Sequence, residues 1–289
     1  MRGTNPWAAA ALAYVAARAT GTPLDRSLRI TLNFHPDRAA RGGGTTLDAI
    51  ARSGRYLSQF ATGTSAGRLT AHPGGARWLW EHRLFGGAYD DAPPDHRPTY
   101  GALNHRSHPL GGAPRFGSSH LRLAEATLDR ATFCFPDSVF EPERLATAQR
   151  CDLLPLADAF AATPRDDATE KLEGGRLDAY VEAHIHGGVT LEEDVEAIVL
   201  DPSFRGTAVE ETASSLGIPV EWHEGRVLTV AELQRHPNFR GAAAVTLGTD
   251  IAHDGLLDAR TIGEAARTHD PQLLKYVWHL TARFGTPVP

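Results

Sequence analysis

Short runs of alternating apolar residues recur along this chain, each with the length of a strand. The clearest, LRITLNF over 28–34, places its Leu, Ile and Phe side chains on one side and polar side chains on the other. This period of two is typical of a half-buried strand. The run stops at His35, because Pro36 cannot donate to a sheet ladder. The chain is therefore predicted to contain a sheet whose first strand ends at His35.

Short helices are predicted between the strands. Asn5 before Pro6 has the pattern of a helix N-terminus, with proline at the first helical position. In TTLDAIARSG, Thr45 and Asp48 have the spacing of a capping box and Gly54 is a helix stop. Helices and strands that alternate in this way indicate an α+β protein.

The rest of the chain continues this alternation. Strands are predicted at FGSSHLRL, at RATFCF, over 179–186 and at EAIVL, whereas the stretch from about 68 to 115, dense in Gly, Pro, His and Trp, is predicted to be a long loop that forms the wall of a site. After residue 205, helices are predicted at VEETASSLG and TVAELQRH, strands at IPVEWH and AAAVTLG, and two helices at the end. We expect a catalytic core over 1–204 and a C-terminal α/β extension over 205–289 packed on the same domain.

Composition limits the classes of function. The 289 residues carry a formal net charge of −6, which argues against binding nucleic acid without sequence preference, since that needs a basic surface. Cys134 and Cys151 are the only cysteines, as expected in a reducing compartment. No apolar run approaches the roughly 18 residues of a membrane span. We expect a cytoplasmic protein that makes no membrane contact, unless a specialised system delivers it outside the cell.

The segment EAHIH places Glu182, His184 and His186 at every second position of a predicted strand, so the three side chains share one face. Two imidazoles and a carboxylate are an ordinary ligand set for zinc or iron. Alternatively, the glutamate alone is catalytic and the histidines border a cleft. The third interpretation is a solvated polar face without chemistry.

The order of these motifs resembles the ADP-ribosyltransferase-like fold, including its branches that remove RNA 2′-phosphates and that modify DNA. The motifs are a strand ending in His35, a helix with the pattern LxxIxxxGxY, a strand with Ser58, and a glutamate strand followed by GxVxLxxDVxxIV. The resemblance covers roughly 28–67 and 178–201. It implies a split antiparallel sheet around a central cleft. The segments NFHPDR, LFGGAYD and YGALN also resemble a bacterial family designated a domain of unknown function.

The resemblance implies a role for each matching residue. His35 would hold the NAD ribose and Arg38 would contact the diphosphate. Tyr56 and Ser58 would lie beside the nicotinamide. Glu182 would bind the ribose 2′-hydroxyl and stabilise the positive charge that develops as nicotinamide leaves, a task that suits a fixed carboxylate.

The implied activity is NAD-dependent ADP-ribosyl transfer to a protein or nucleic-acid acceptor, or NAD hydrolysis. NAD would be a substrate in either case. The sequence leaves open whether the protein is a toxin, a regulator or a housekeeping enzyme. Tyr100, or alternatively Tyr89, would supply a stacking ring. Tyr180 stands two residues before Glu182, where related enzymes often carry an acidic or amide residue that places the acceptor, so the acceptor is unassigned.

Two other functions follow from the residues alone. The first is a metal-dependent hydrolase that uses Glu182, His184 and His186, with His35 and with His105 and His108 of NHRSHP as further histidines near a site. The second is a non-catalytic binding module whose aromatic, Gly-rich wall recognises a partner.

Overall fold

The computed structural model describes residues 5–63, 71–163 and 175–288. Residues 64–67, the last residues of the segment 28–67 that resembles the ADP-ribosyltransferase-like fold, lie outside these ranges. The strands are β1 (Ile30–Phe34), β2 (Arg55–Tyr56), β3 (Thr99–Leu103), β4 (Ser119–Leu123), β5 (Ala131–Cys134), β6 (Leu145–Thr147), β7 (Val181–Ile185), β8 (Val189–Thr190), β9 (Val195–Leu200), β10 (Val220–Trp222), β11 (Leu228–Thr229) and β12 (Leu256–Leu257). The α-helices are α1 (Pro6–Ala16), α2 (Thr46–Ser53), α3 (Gln59–Thr62), α4 (Ala76–Phe85), α5 (Leu154–Ala162), α6 (Leu191–Asp194), α7 (Ala208–Ser214), α8 (Val230–Leu233), α9 (Ala242–Ile251), α10 (Ala259–Glu264) and α11 (Pro271–Phe284).

Eight strands form one open sheet in the order β10-β9-β4-β1-β3-β7-β5-β6. All neighbours are antiparallel except β9 and β10, which are parallel. The strands β2 and β8 form a separate pair, as do β11 and β12. The predicted α+β class is confirmed, with a large, mostly antiparallel sheet.

Both faces of the central strands are covered. On β7, Val181, Ala183 and Ile185 belong to the main hydrophobic core. The opposite face, near β5 and β6, packs against a second core that α1 and α4 supply through residues such as Val15 and Phe85. All five residues of β1 and of β7 are therefore buried. The prediction that the strand within 28–34 is only half-buried was therefore wrong. The interpretation of EAHIH as a solvated polar face was also wrong.

Two predicted elements have a different structure. The 68–115 region contains helix α4, which begins after Gly75, ends at Gly86 and packs against α1, together with strand β3. The predicted strand AAAVTLG is helix α9, which packs against α11. Its buried residues, Ala244, Leu247 and Gly248, are three and four positions apart, so a helical period replaces the expected strand period.

The C-terminal segment completes the sheet. Its strand β10 pairs with β9 from the preceding part of the chain, and Trp278 of α11 packs edge-on against His35 at a ring-centroid distance of 5.3 Å. Helix α11 begins at the predicted Asp270 cap, whose side chain accepts from the backbone N–H of Gln272. Within the described ranges, every helix is too short or too polar to cross a bilayer.

Candidate functional site

A cavity of about 790 Å³ lies over the face of the sheet that β1, β3 and β7 share. Cross-strand register produces this arrangement. Thr31 pairs with Ala102, and Ala102 pairs with Glu182, so their side chains form one row across three strands. All three line the cavity. Its volume falls within the roughly 300–1,000 Å³ that small-molecule sites occupy.

The structure brings all the predicted NAD-site residues to this one cavity: His35, Arg38, Tyr56, Ser58, Tyr100 and Glu182. Those residues come from four separate segments of the chain. Tyr89, the alternative stacking ring, does not line the cavity. It is buried, and its hydroxyl lies 2.7 Å from Nδ1 of His186.

His35 and Arg38 lie just beyond the end of β1. Burial, together with the nearby charge of Arg38, lowers the pKa of His35 well below its ordinary value. The imidazole is therefore neutral at pH 7 and can donate from one ring nitrogen while accepting at the other. Arg38 is exposed at the cavity edge, with its positive charge accessible to a ligand.

Tyr56 lies on β2, and its ring packs edge-on against Phe34 at 6.3 Å. Burial raises the pKa of its phenol to about 12, so the hydroxyl stays protonated. Ser58 lies not on a strand, as predicted, but at the N-cap of α3. Its Oγ donates to the carbonyl of Pro94 at 2.7 Å and accepts from the N–H of Ala61 at 3.2 Å. The Ser58 hydroxyl therefore orders the cavity wall.

Tyr100 connects the cavity floor to a buried ion pair. Its hydroxyl donates to Oε1 of Glu81 at 3.1 Å, and Glu81 accepts from Arg97 at 2.6 Å. Burial raises the pKa of Tyr100 well above its ordinary value. These contacts fix the Tyr100 ring, which packs edge-on at 5.1 Å from the His184 ring.

Glu182 is buried at the cavity floor. Its Oε1 lies 2.9 Å from Nε2 of His184 and accepts from the N–H of Ser138 at 3.3 Å. Burial alone would raise the pKa of Glu182, but the hydrogen bond and charge of His184 hold that pKa below its ordinary value. The carboxylate is thus ionised at neutral pH and fixed by its neighbours, as stabilisation of a cation requires.

Asp137 is a second carboxylate at the cavity, and it was missed from the sequence. Burial and then the charge of Glu182 raise the pKa of Asp137 to about 6. Its Oδ2 accepts a hydrogen bond from the Tyr180 hydroxyl. The local sequence does not indicate that Asp137 belongs to a site, because only the fold brings the turn after β5 to the N-terminal end of β7.

The cavity has a positive lining, which the sequence also did not reveal. The cationic side chains outnumber Asp137 and Glu182 among the lining residues; they are Arg38, Arg41, Arg55, Arg77, Arg115 and Lys275. Arg77 is only 6% exposed, and its Nε has no hydrogen-bond partner among the described residues. Its guanidinium lies over the Tyr100 ring at 4.9 Å. A buried cation of this kind favours an anionic ligand.

The predicted metal set is only partly brought together. His186 bonds through its two ring nitrogens to Tyr89 and Thr132, at 2.7 and 3.0 Å. Within the described residues, the donor atoms that converge are instead those of Cys134, Glu182 and His184, all within 4.8 Å of one another. Cys134 was not predicted as a ligand. It lies on β5, far from Glu182 in sequence, and becomes its neighbour only because β5 pairs with β7.

This arrangement can bind an anionic small molecule and place an ionised carboxylate beside it. The neutral His35, the protonated Tyr56 and the fixed Tyr100 supply hydrogen-bonding and stacking groups around the same space. Arg77, which is largely buried, adds positive charge near the floor, whereas the charge of Arg115 is compensated by its ion pair with the buried Asp178.

Two comparisons with known proteins extend these observations. A family model described as "Protein of unknown function (DUF3626)" matches residues 29–160 and 156–284. The chain is also 27% identical over 182 residues to the "Gene 2 protein" of Mycobacterium phage L5. That match covers 58% of this chain and 66% of the phage protein, which is just under two thirds of its length. The family match includes most of the sheet, the cavity residues and the C-terminal helices, and so this chain belongs to the DUF3626 family.

Proposed function

We propose that this protein is an NAD-dependent ADP-ribosyltransferase, which transfers ADP-ribose to a protein or nucleic-acid acceptor or hydrolyses NAD. One observation carries the proposal. The six residues to which the sequence resemblance gave roles at NAD come from separate segments, yet all line the same 790 Å³ cavity.

In this mechanism Glu182 is the central catalytic residue. Cleavage of the bond between nicotinamide and ribose develops positive charge on the ribose, and a fixed, ionised carboxylate stabilises that charge. His35, neutral because of its burial, hydrogen-bonds the ribose hydroxyls. The Tyr56 and Tyr100 rings flank the nicotinamide, and Arg38 binds the diphosphate at the cavity edge.

The test is nicotinamide release from NAD by the wild type and by Glu182→Gln, with and without a cell lysate as a source of acceptors. Glutamine keeps the size of the side chain but removes its charge, so we expect a loss of about 10²- to 10³-fold in rate. The matched control is Glu192→Gln, since Glu192 is exposed on α6. Release that needs the lysate would indicate transfer rather than hydrolysis.

Two outcomes would contradict parts of this proposal. Release that Glu182→Gln leaves unchanged would remove the role given to Glu182. Thermal stabilisation by NAD without release under any condition would favour the non-catalytic binding module.

The convergence of Cys134, Glu182 and His184 favours a second candidate, a metal-dependent hydrolase. Their contacts of 2.9 to 3.8 Å suit donors around one zinc ion, to which bonds measure about 2.0–2.3 Å. Thr132 lies 3.1 Å from Nδ1 of His184 and would orient that ring from behind. Glu182 also lines the cavity, where a metal would meet substrate.

Metal analysis of the purified protein separates the two candidates. The hydrolase predicts stoichiometric zinc or manganese that is lost in Cys134→Ser and in His184→Ala, but retained in the control Cys151→Ser. The transferase predicts nicotinamide release that a chelator does not reduce. Metal-free wild-type protein after growth with added zinc would exclude the hydrolase.

A further inference from the structure

A second, smaller cavity of about 270 Å³ adjoins the candidate site, and Tyr180 lines both. It lies between the loop after β3, the segment before β7 and the C-terminal part of the chain. Its basic lining residues are Arg106, Arg176, Arg226, Arg283, His105 and His108. Among the described residues that line it, none is an aspartate or a glutamate.

This concentration of positive charge contrasts with the chain as a whole, whose net charge is −6. The guanidinium groups of four arginines meet around this space, and an anion bound there would interact favourably with their combined positive charge. Two of the carboxylates that pair with them lie outside the lining. Asp158 accepts from Arg106 at 2.9 Å, and Glu224 accepts from Arg226. These carboxylates orient the two guanidinium groups from outside the cavity.

Two side chains retain donors for a ligand. Arg226 uses Nη1 for its bonds to Glu224 and to the Gly225 carbonyl, and within the described ranges Nε and Nη2 have no partner. His108 accepts at Nδ1 from the N–H of Leu110 at 3.2 Å, so the neutral ring carries its hydrogen on Nε2. Guanidinium groups bind phosphate oxygens through paired N–H donors, and the imidazole N–H of His108 supplies a further donor.

We propose that this cavity is a binding site for a small phosphate-bearing anion, distinct from the candidate NAD site. Its volume is below the roughly 300–1,000 Å³ of sites that enclose a whole drug-sized molecule. The occupant is therefore a free phosphate or diphosphate, or the phosphate end of a mononucleotide whose remainder lies outside. The site does not depend on NAD chemistry.

Isothermal titration at constant ionic strength tests this site with inorganic phosphate, with diphosphate and with AMP as separate titrants. The variant is Arg226→Gln, and the control is Arg235→Gln, whose exposed side chain pairs with Glu232 away from the cavity. We expect the wild type and Arg235→Gln to bind alike, and Arg226→Gln to bind about tenfold more weakly. Tighter binding of AMP than of phosphate, retained in Arg38→Gln and weakened in Arg226→Gln, would identify a nucleotide as the source.

A third variant, Arg38→Gln, separates the two cavities. The proposed site predicts that the binding weakened in Arg226→Gln is retained in Arg38→Gln. If Arg38→Gln loses binding and Arg226→Gln keeps it, the anion occupies the larger cavity and the proposal is overturned. Absence of wild-type binding to all three titrants overturns it as well. If Arg226→Gln does not fold, His108→Gln removes the second donor and carries the same expectation.

Discussion

The hydroxyl of Tyr180 donates a hydrogen bond to the Asp137 carboxylate, at the wall that separates the two cavities. Both residues are buried. The bond holds the N-terminal end of β7, where Glu182 lies, to the turn after β5. It also limits the rise in the pKa of Asp137 that burial and the charge of Glu182 cause.

Replacement of Tyr180 by phenylalanine tests this bond. The variant leaves a buried carboxylate without one of its donors, and we expect a loss of about 1–3 kcal/mol in the free energy of unfolding. The loss should be larger at pH 8, where Asp137 is ionised, than at pH 5, where it is largely protonated. Urea unfolding at both pH values measures it.

Tyr276→Phe is the matched control, because Tyr276 is only partly buried and its ring lies beside His279 rather than beside a buried carboxylate. Equal losses in Tyr180→Phe at the two pH values would show that the phenol does not act through the charge of Asp137.

Asp37 determines part of the pH dependence of stability. Burial raises its pKa to about 6 from an ordinary 3.8. Between these values the folded protein binds more protons than the unfolded chain, so the Asp37 contribution to stability falls as the pH rises. An asparagine side chain at this position cannot titrate. We expect Asp37→Asn to match the wild type near pH 4 and to exceed it by about 2 kcal/mol near pH 7.

Chemical denaturation of Asp37→Asn at the two pH values provides the measurement, with the exposed Asp91→Asn as control. A variant that is less stable than the wild type at pH 7 would contradict the assigned cause, since it would mean that the ionised carboxylate is stabilising.

Gly117 permits the close approach of its loop to β1. A Cβ there would collide with the backbone of Phe34, the residue before His35, and the φ of 173° is ordinary extended backbone. We expect Gly117→Ala to cost about 3 kcal/mol, because the strand backbone cannot move aside as a side chain can. The melting temperature and the rate of nicotinamide release should both decrease, since a displaced β1 also displaces His35.

Gly206→Ala is the control, because no atom lies within 4 Å of its added Cβ and only its φ of 68° is unfavourable. That strain costs about 1 kcal/mol. If the two variants lost the same stability, the collision at Phe34 would not be the cause.

The sequence correctly predicted those elements that are determined by contacts between residues close together in the chain. The reciprocal hydrogen bonds of Thr45 and Asp48 are a property of one helical turn, and α2 begins where the capping box indicated. By contrast, β1 has an alternating pattern, yet Thr31 and Asn33 are buried because loop 110–117 folds over them. The sequence of one strand does not contain the contacts that a distant segment makes with it.

The same distinction applies to the site. His35 and Glu182 were identified because they occupy motif positions on strands, and both line the larger cavity. Arg77 and Asp137 were missed because each reaches the cavity only through the packing of α4 or of the turn after β5. The convergence of Cys134 with Glu182 depends on β5 and β7 being neighbours, which the order of residues along the chain does not determine.

The parallel pairing of β10 with β9 has a consequence for self-association. A chain cut near residue 204 would keep β9 but lose the strand β10 that covers its edge, and this free edge would offer unpaired N–H and C=O groups to another copy. Such a fragment should form oligomers by strand addition. The C-terminal segment thus protects the sheet against aggregation, whatever chemistry the cavity performs.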